Sequence, residues 1–361
     1  MRFFLSGLLL LLHAVAFAQS GFLCNSSIAV QTHYGSFLTP SPKAVYVKDS
    51  YTSFTEIAFL KGADGSKPWH IANGFPKWGI AAFYGNTGSR QYIGHMGGLF
   101  PFIHFPLIKK GIYENTLRVG AGIALIEKPY DTESNHKNVV LGSKVNAFIN
   151  FTWQHQFRIS KAFYANAGLS LTHLSNGGAQ LPNLGLNIPG ITAGVRYVID
   201  ETKVDYTKTY LSFDKKIHLQ MGLSAGFKQT PWIGSKTYLA KIITIEGDKQ
   251  IGSVNRLGLG IHLFYDPSSN NDEIDPVFPD KQQSDYQYNA GFYFQYEHMI
   301  RRLSLGVQLG FYPFKAYYSD SFYENVGVRY QLTNRWSGGF YLKTHWGKAE
   351  YIHLGFTYKV F

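Results

Sequence analysis

The sequence predicts an all-β protein: an antiparallel transmembrane β-barrel of the outer-membrane type, with about 14–16 strands. Three features carry this expectation. The chain opens with an export segment, alternates apolar and polar side chains over strand-length stretches, and joins those stretches by connections that are short at one end and longer at the other.

The export segment comes first. Arg2 supplies a positive charge, Phe3 to Val15 is apolar, and Ala16-Phe17-Ala18 reads as a cleavage site before Gln19. Residues 1–18 are therefore expected to be a signal peptide, followed by one barrel domain over 19–361. The apolar run is too short to span a bilayer as a helix, and no later run of eighteen apolar residues exists. Cys24 is the only cysteine, which excludes an internal disulfide and any multi-cysteine metal site. Leu23 stands where a lipoprotein signal requires a small residue. With 34 Lys+Arg against 23 Asp+Glu, the chain is basic but has no basic run, so nucleic acid is not indicated. Positive charge on a surface barrel instead suits the phosphates of lipopolysaccharide, and a solubility role explains it equally well.

The strands follow in order. The first hundred residues alternate poorly. From there, Leu117, Val119, Ala121, Ile123 and Leu125 oppose Thr116, Arg118, Gly120 and Gly122. Leu141 to Phe157 continues the pattern, as do Ile217 to Phe227, Leu257 to Tyr265, Tyr286 to Tyr296, Leu303 to Phe311 and Val326 to Leu332. A two-residue period with one apolar face marks a strand between two different phases. Connections at 159–161, 299–302 and 333–334 are short, whereas 39–50, 129–140 and 266–284 are longer and polar, the pattern of periplasmic turns and extracellular loops. The final strand carries Ile352, Leu354, Phe356, Tyr358 and Val360 on one face. Its His353-x-Gly355-x-x-Tyr358-x-Val360 ending resembles the C-terminal assembly signal of outer-membrane proteins.

Other candidate motifs are set aside. Gly120-x-Gly122 and Gly258-x-Gly260 lie inside strands, open no helix, and read as small lumen-facing positions. The acidic stretch 266–275, with Asp272 and Glu273, lacks the glycine of a calcium loop and reads as solvated. The thirteen histidines show no helical ligand spacing. No metal or cofactor is implied.

One hairpin, 163–199, breaks the alternation. Phe163, Ala165, Ala167, Leu169 and Leu171 form the lipid face, and His173 and Ser175 extend it. On the returning strand, Ile191, Ala193, Val195 and Tyr197 form the same face, which reaches Asn187 through Pro189. Three polar side chains therefore gather on the lipid side of a strand tip. Positions i and i+2 stand about 6.5–7 Å apart, close enough for an imidazole to take a proton from a serine hydroxyl. Polar residues at headgroup level explain the same pattern without catalysis.

His173-Leu174-Ser175-Asn176-Gly177, followed by Pro182-Asn183-Leu184-Gly185, resembles the signature of the outer-membrane lipid A 3-O-deacylases, His-x-Ser-Asn then Pro-Asn-x-Gly-x-Glu. Members are eight-stranded barrels that hydrolyse the acyl ester at the 3 position of lipid A with a Ser-His-Glu triad. The resemblance makes Ser175 the nucleophile and His173 the general base. It makes Asn176, Gly177 and Gly178 the oxyanion and substrate-binding group, and lipid A in the outer leaflet the substrate. The family's glutamate falls on Asn187. Asn187 can orient His173 but cannot offset its charge, so a slow enzyme is expected unless a carboxylate arrives from Asp131 or Glu133; Asp200 and Glu201 lie too far along the strand. The chain also runs about 160 residues beyond the catalytic hairpin, which suggests the same hairpin set in a wider barrel. The competing readings are a non-catalytic pore or pseudoenzyme, and a phospholipase using the same residues.

Overall fold

The computed structural model describes residues 23–39, 42–201, 212–229, 235–270, 287–313 and 321–361. Residues 1–22 with the expected signal peptide, the whole 271–286 stretch with Asp272 and Glu273, and the segments 40–41, 202–211, 230–234 and 314–320 lie outside the described residues. Eight strands build the first half: β1 (Ser26–Gly35), β2 (Thr52–Gly62), β3 (Lys77–Asn86), β4 (His95–Lys110), β5 (Tyr113–Ile126), β6 (Val145–Arg158), β7 (Phe163–Ser175) and β8 (Leu186–Val198). Eight more build the second: β9 (Ile217–Gln229), β10 (Thr237–Gln250), β11 (Asn255–Tyr265), β12 (Tyr288–Ile300), β13 (Leu303–Phe311), β14 (Phe322–Gln331), β15 (Trp336–His345) and β16 (Lys348–Lys359). All neighbouring strands pair antiparallel, so the expected fold class holds.

The single wide barrel does not. β8 turns back onto β1, with Ser27 opposite Val198 and Gly35 opposite Gly190, and closes an eight-stranded barrel. β16 likewise closes on β9, with His353 opposite Gly226 and Lys359 opposite Gln220. Alternation reports which face of a strand is apolar but not which strand it pairs with, so strand count alone left closure open. One sequence feature did mark the boundary. The connection 199–216 is the longest at the end where the other strands are joined mostly by tight turns.

Both barrels stand with their chain entries and exits at one end. The candidate hairpin tip is at the opposite end, together with the longer loops. The outward faces are apolar and open, as Ile57 (60% exposed), Ile123 (58%), Leu169 (54%) and Leu259 (68%) show. Aromatic pairs border this band at both ends. Tyr34 stacks on Tyr51 and Phe322 meets Trp346 at the long-loop end, while Phe163 packs on Tyr197 and Trp336 on Tyr358 at the other. This is the girdle arrangement of a membrane barrel.

Each lumen is filled with side chains, as expected when only eight strands close. In the first barrel Phe54, Phe83, Phe100 and Phe148 stack inside the long-loop half. That apolar filling explains the poor alternation of the first hundred residues, because β2, β3 and β4 are apolar on both faces. Gly120 makes room for Phe100, where a Cβ would stand 2.7 Å from the ring. Below the phenylalanines, Arg118 pairs with Glu56, and Asn150 Oδ1 accepts from Arg118 at 2.8 Å. The second lumen centres on Arg329, held by Glu246 at 3.1 Å and Glu297 at 3.0 Å. These side chains fill the middle of each lumen with aromatic and ion-paired groups.

Arg118 and Glu56 are each 2% exposed. Glu56→Ala should therefore cost the first barrel about 3–5 kcal/mol by leaving a buried guanidinium without its carboxylate. Urea unfolding in detergent, followed by loss of heat-modifiable gel mobility, measures this. An unchanged midpoint would show that the pair contributes no net stability.

Candidate active site

The site is built on β7 and β8 where they leave the barrel wall. Leu169 and Leu171 point outward at 54% and 45% exposure, and two further residues along the same face is His173. Ser175 ends the strand. Ala147 of β6 lies opposite Ser175, and Asn187 of β8 lies directly opposite His173. The three polar residues singled out from the alternation therefore converge. His173 Nε2 is 3.0 Å from Ser175 Oγ, and His173 Nδ1 is 2.7 Å from Asn187 Oδ1. With a carboxamide oxygen as acceptor, Nδ1 carries the proton and Nε2 is left as the base toward the serine. Asn187 is itself anchored, since its carbonyl accepts from the Leu38 amide at 2.7 Å.

No carboxylate enters this triad. Asp131, one of the two expected substitutes, has its Oδ1 engaged by its own loop, accepting from the amides of Ser134 at 2.7 Å and Glu133 at 3.1 Å. These bonds, the Ser134 amide foremost, hold its carboxyl below the ordinary aspartate range. Neither Asp131 nor Glu133 takes the third position, because Asn187 already fills the Nδ1 bond. Asp200 and Glu201 sit at the far end of the barrel, accepting from Asn25 and Arg158.

The Ser175–Leu186 connection folds over Ser175. Asn176 caps it: its Oδ1 accepts from the Gly178 amide at 3.0 Å, its Nδ2 donates to the Gln180 carbonyl at 2.7 Å, and its own amide donates to Asn183 Oδ1 at 3.1 Å. Of the expected oxyanion donors, the Gly178 and Asn176 amides are therefore committed within the loop. The Gly177 amide has no partner among the described residues. Gly177 and Gly178 both adopt left-handed backbone, φ +64° and +81°, which turns the chain sharply after the serine. Gly185, also left-handed, passes so close that a Cβ there would stand 3.1 Å from His173 Cε1. Ser175 is 3% exposed, while His173 and Asn187 are half-buried.

The height of the site follows from the register. Ile191, level with Tyr34 of the aromatic border, is four residues from Asn187. At about 3.3 Å per residue and 45° tilt, that climb is about 9 Å along the barrel axis. His173, Ser175 and Asn187 therefore stand above the aromatic border at the long-loop end, at headgroup level, with Ser175 buried beneath its loop. The fold and site define a class: an outer-membrane barrel carrying a serine–histidine pair at the lipid boundary.

The comparisons with known proteins give the family. The model described as lipid A 3-O-deacylase (PagL) matches residues 57–196, and that described as acyloxyacyl hydrolase, C-terminal domain, matches residues 217–361. One covers most of the first barrel and the other the whole second barrel. The chain belongs to the lipid A 3-O-deacylase family, resides in the bacterial outer membrane, and has that family's function of lipid A deacylation. No curated protein matches it. Among solved structures, the outer membrane enzyme PagL shares 17% identity, with 46% of this chain and 97% of that chain covered and a TM-score of 0.30. The Acinetobacter baumannii outer membrane protein Omp33 shares 9%, with 94% and 100% covered and a TM-score of 0.19. A Rhodopseudomonas blastica porin variant shares 6%, with 92% and 99% covered and a TM-score of 0.18.

Proposed function

We propose that this chain is a serine esterase that removes the acyl group from the 3 position of lipid A through Ser175, His173 and Asn187. The observation that carries the reading is the hydrogen-bonded relay Ser175–His173–Asn187 at headgroup level. The acyl esters of lipid A lie at that level, where the sugar meets the hydrocarbon.

Ser175 Oγ attacks the ester carbonyl while His173 Nε2 takes its proton. The negative charge that develops on the carbonyl oxygen faces the loop, where the Gly177 amide and the second Nδ2 hydrogen of Asn176 are the donors available. Collapse of this intermediate expels the sugar oxygen, which receives the proton from His173. Water then repeats the sequence on the acyl-serine and releases the fatty acid. Asn187 holds the imidazole in the tautomer this requires but brings no charge to balance the imidazolium. The enzyme is accordingly slower than a carboxylate-assisted member.

Mass spectrometry of products from the purified barrel supplied with lipid A is the test. Free fatty acid and a lipid A lighter by one acyl chain at the 3 position are expected, with glycerophospholipid left intact. Release from phospholipid alone would overturn the substrate assignment.

A further inference from the structure

The loop that carries the oxyanion donors is held from outside its own barrel. Gly177 packs so tightly on the side chain of Ile352 that a Cβ there would collide with it, and Gly178 packs in the same way on the carbonyl of Glu350. Both partners belong to β16 of the second barrel. At the end of β9, Gln229 grips the loop twice: its amide donates to the Gly178 carbonyl at 3.3 Å, and its Oε1 accepts from the Leu181 amide at 2.8 Å. Its Nε2 donates to the Ser235 carbonyl at 3.1 Å, which fixes the direction of the side chain. Glu350 is itself fixed by Lys228 at 2.7 Å and by Lys343. At the opposite end the barrels also touch, through Asn73 with His298 at 2.8 Å and with the Met299 carbonyl at 3.4 Å.

We infer that the second barrel is a positioning element for hydrolysis, with Gln229 fixing the Asn176–Leu181 loop. This rests on the reading of Ser175 as the nucleophile. A loop with two successive left-handed glycines has little conformational preference of its own, since glycine tolerates both signs of φ. Oxyanion stabilisation depends on donors already in place when charge develops, within about 2.7–3.1 Å of the oxygen. The first barrel supplies the nucleophile and its base. The second supplies the wall against which the donor loop is set. Gln229 touches no reacting atom, so its effect falls on the transition state rather than on substrate capture.

Gln229→Met, which keeps the side-chain length but removes the acceptor for Leu181, is expected to lower kcat about tenfold with KM unchanged. Amide hydrogen exchange over 176–181 should rise in parallel. Gln229→Glu keeps an acceptor and should recover most of the rate. Heat-modifiable mobility checks that both variants remain folded. Wild-type kcat in Gln229→Met, with Ser175→Ala inactive, would overturn the positioning role alone. Activity surviving in Ser175→Ala would overturn the nucleophile assignment beneath it. Equal losses in Gln229→Met and Gln229→Glu would also overturn the inference, because the shared acceptor would then be irrelevant.

Discussion

Ser175→Ala should abolish fatty-acid release from lipid A, with a fall of about 10⁶ in kcat by comparison with serine hydrolases stripped of their nucleophile. His173→Ala should do the same, since these two groups act as one unit and losing either removes the step. Neither change should disturb the barrel. Ser175 ends β7 and contributes only its hydroxyl, and His173 lies on the outer face rather than in either lumen. Quantifying released fatty acid by mass spectrometry, with gel mobility confirming a folded barrel, checks both variants. Residual hydrolysis at a tenth of the wild-type rate in Ser175→Ala would place the chemistry elsewhere.

Asn187→Glu is expected to act in the opposite direction and raise kcat. The amide oxygen 2.7 Å from His173 Nδ1 sets the ring but leaves the imidazolium uncompensated. Exchanging carboxylate for amide in a chymotrypsin-type triad lowers turnover about 10⁴-fold, partly through the wrong tautomer. Here Asn187 accepts from Nδ1 and the tautomer is already correct, so only the charge remains to be gained. A rise of about a hundredfold is the expected size, within the range set by that exchange. Asn187→Ala should fall below wild type, since it loses the orientation as well. A glutamate variant no faster than wild type would show that the missing charge does not limit this enzyme.

The candidate hairpin was legible because lipid-facing positions tolerate few polar residues. His173, Ser175 and Asn187 therefore stood out against Leu169, Leu171 and Ile191. Strands such as Leu303–Phe311 were legible to the residue for the same reason. The alternation extends upstream to Leu141, but β6 begins only at Val145, because Leu141 is buried in the preceding loop. Closure was hidden, since pairing of Ser27 with Val198 depends on a register that no local pattern encodes. The seat of Gly177 and Gly178 on Ile352 and Glu350 was hidden for a similar reason: it joins two barrels far apart in sequence. The commitment of the Gly178 amide to Asn176 arises from loop geometry alone, whereas the Asn-Gly-Gly sequence was compatible with three free donors.

Dividing sixteen strands between two closures also bears on how the chain reaches its final state. A single wide barrel would need its first strand to find its last across nearly the whole polypeptide. Here Ser27 needs only Val198, and Gln220 needs only Lys359, about half that separation in each case. Halving a closing loop lowers its entropic cost by only about 0.6 kcal/mol, but long-range pairing weighs far more heavily on rate than on equilibrium. The first barrel holds every strand required for its own seam once Val198 is available. It can therefore close as an independent folding unit, with the second barrel docking its rim against an already formed hairpin.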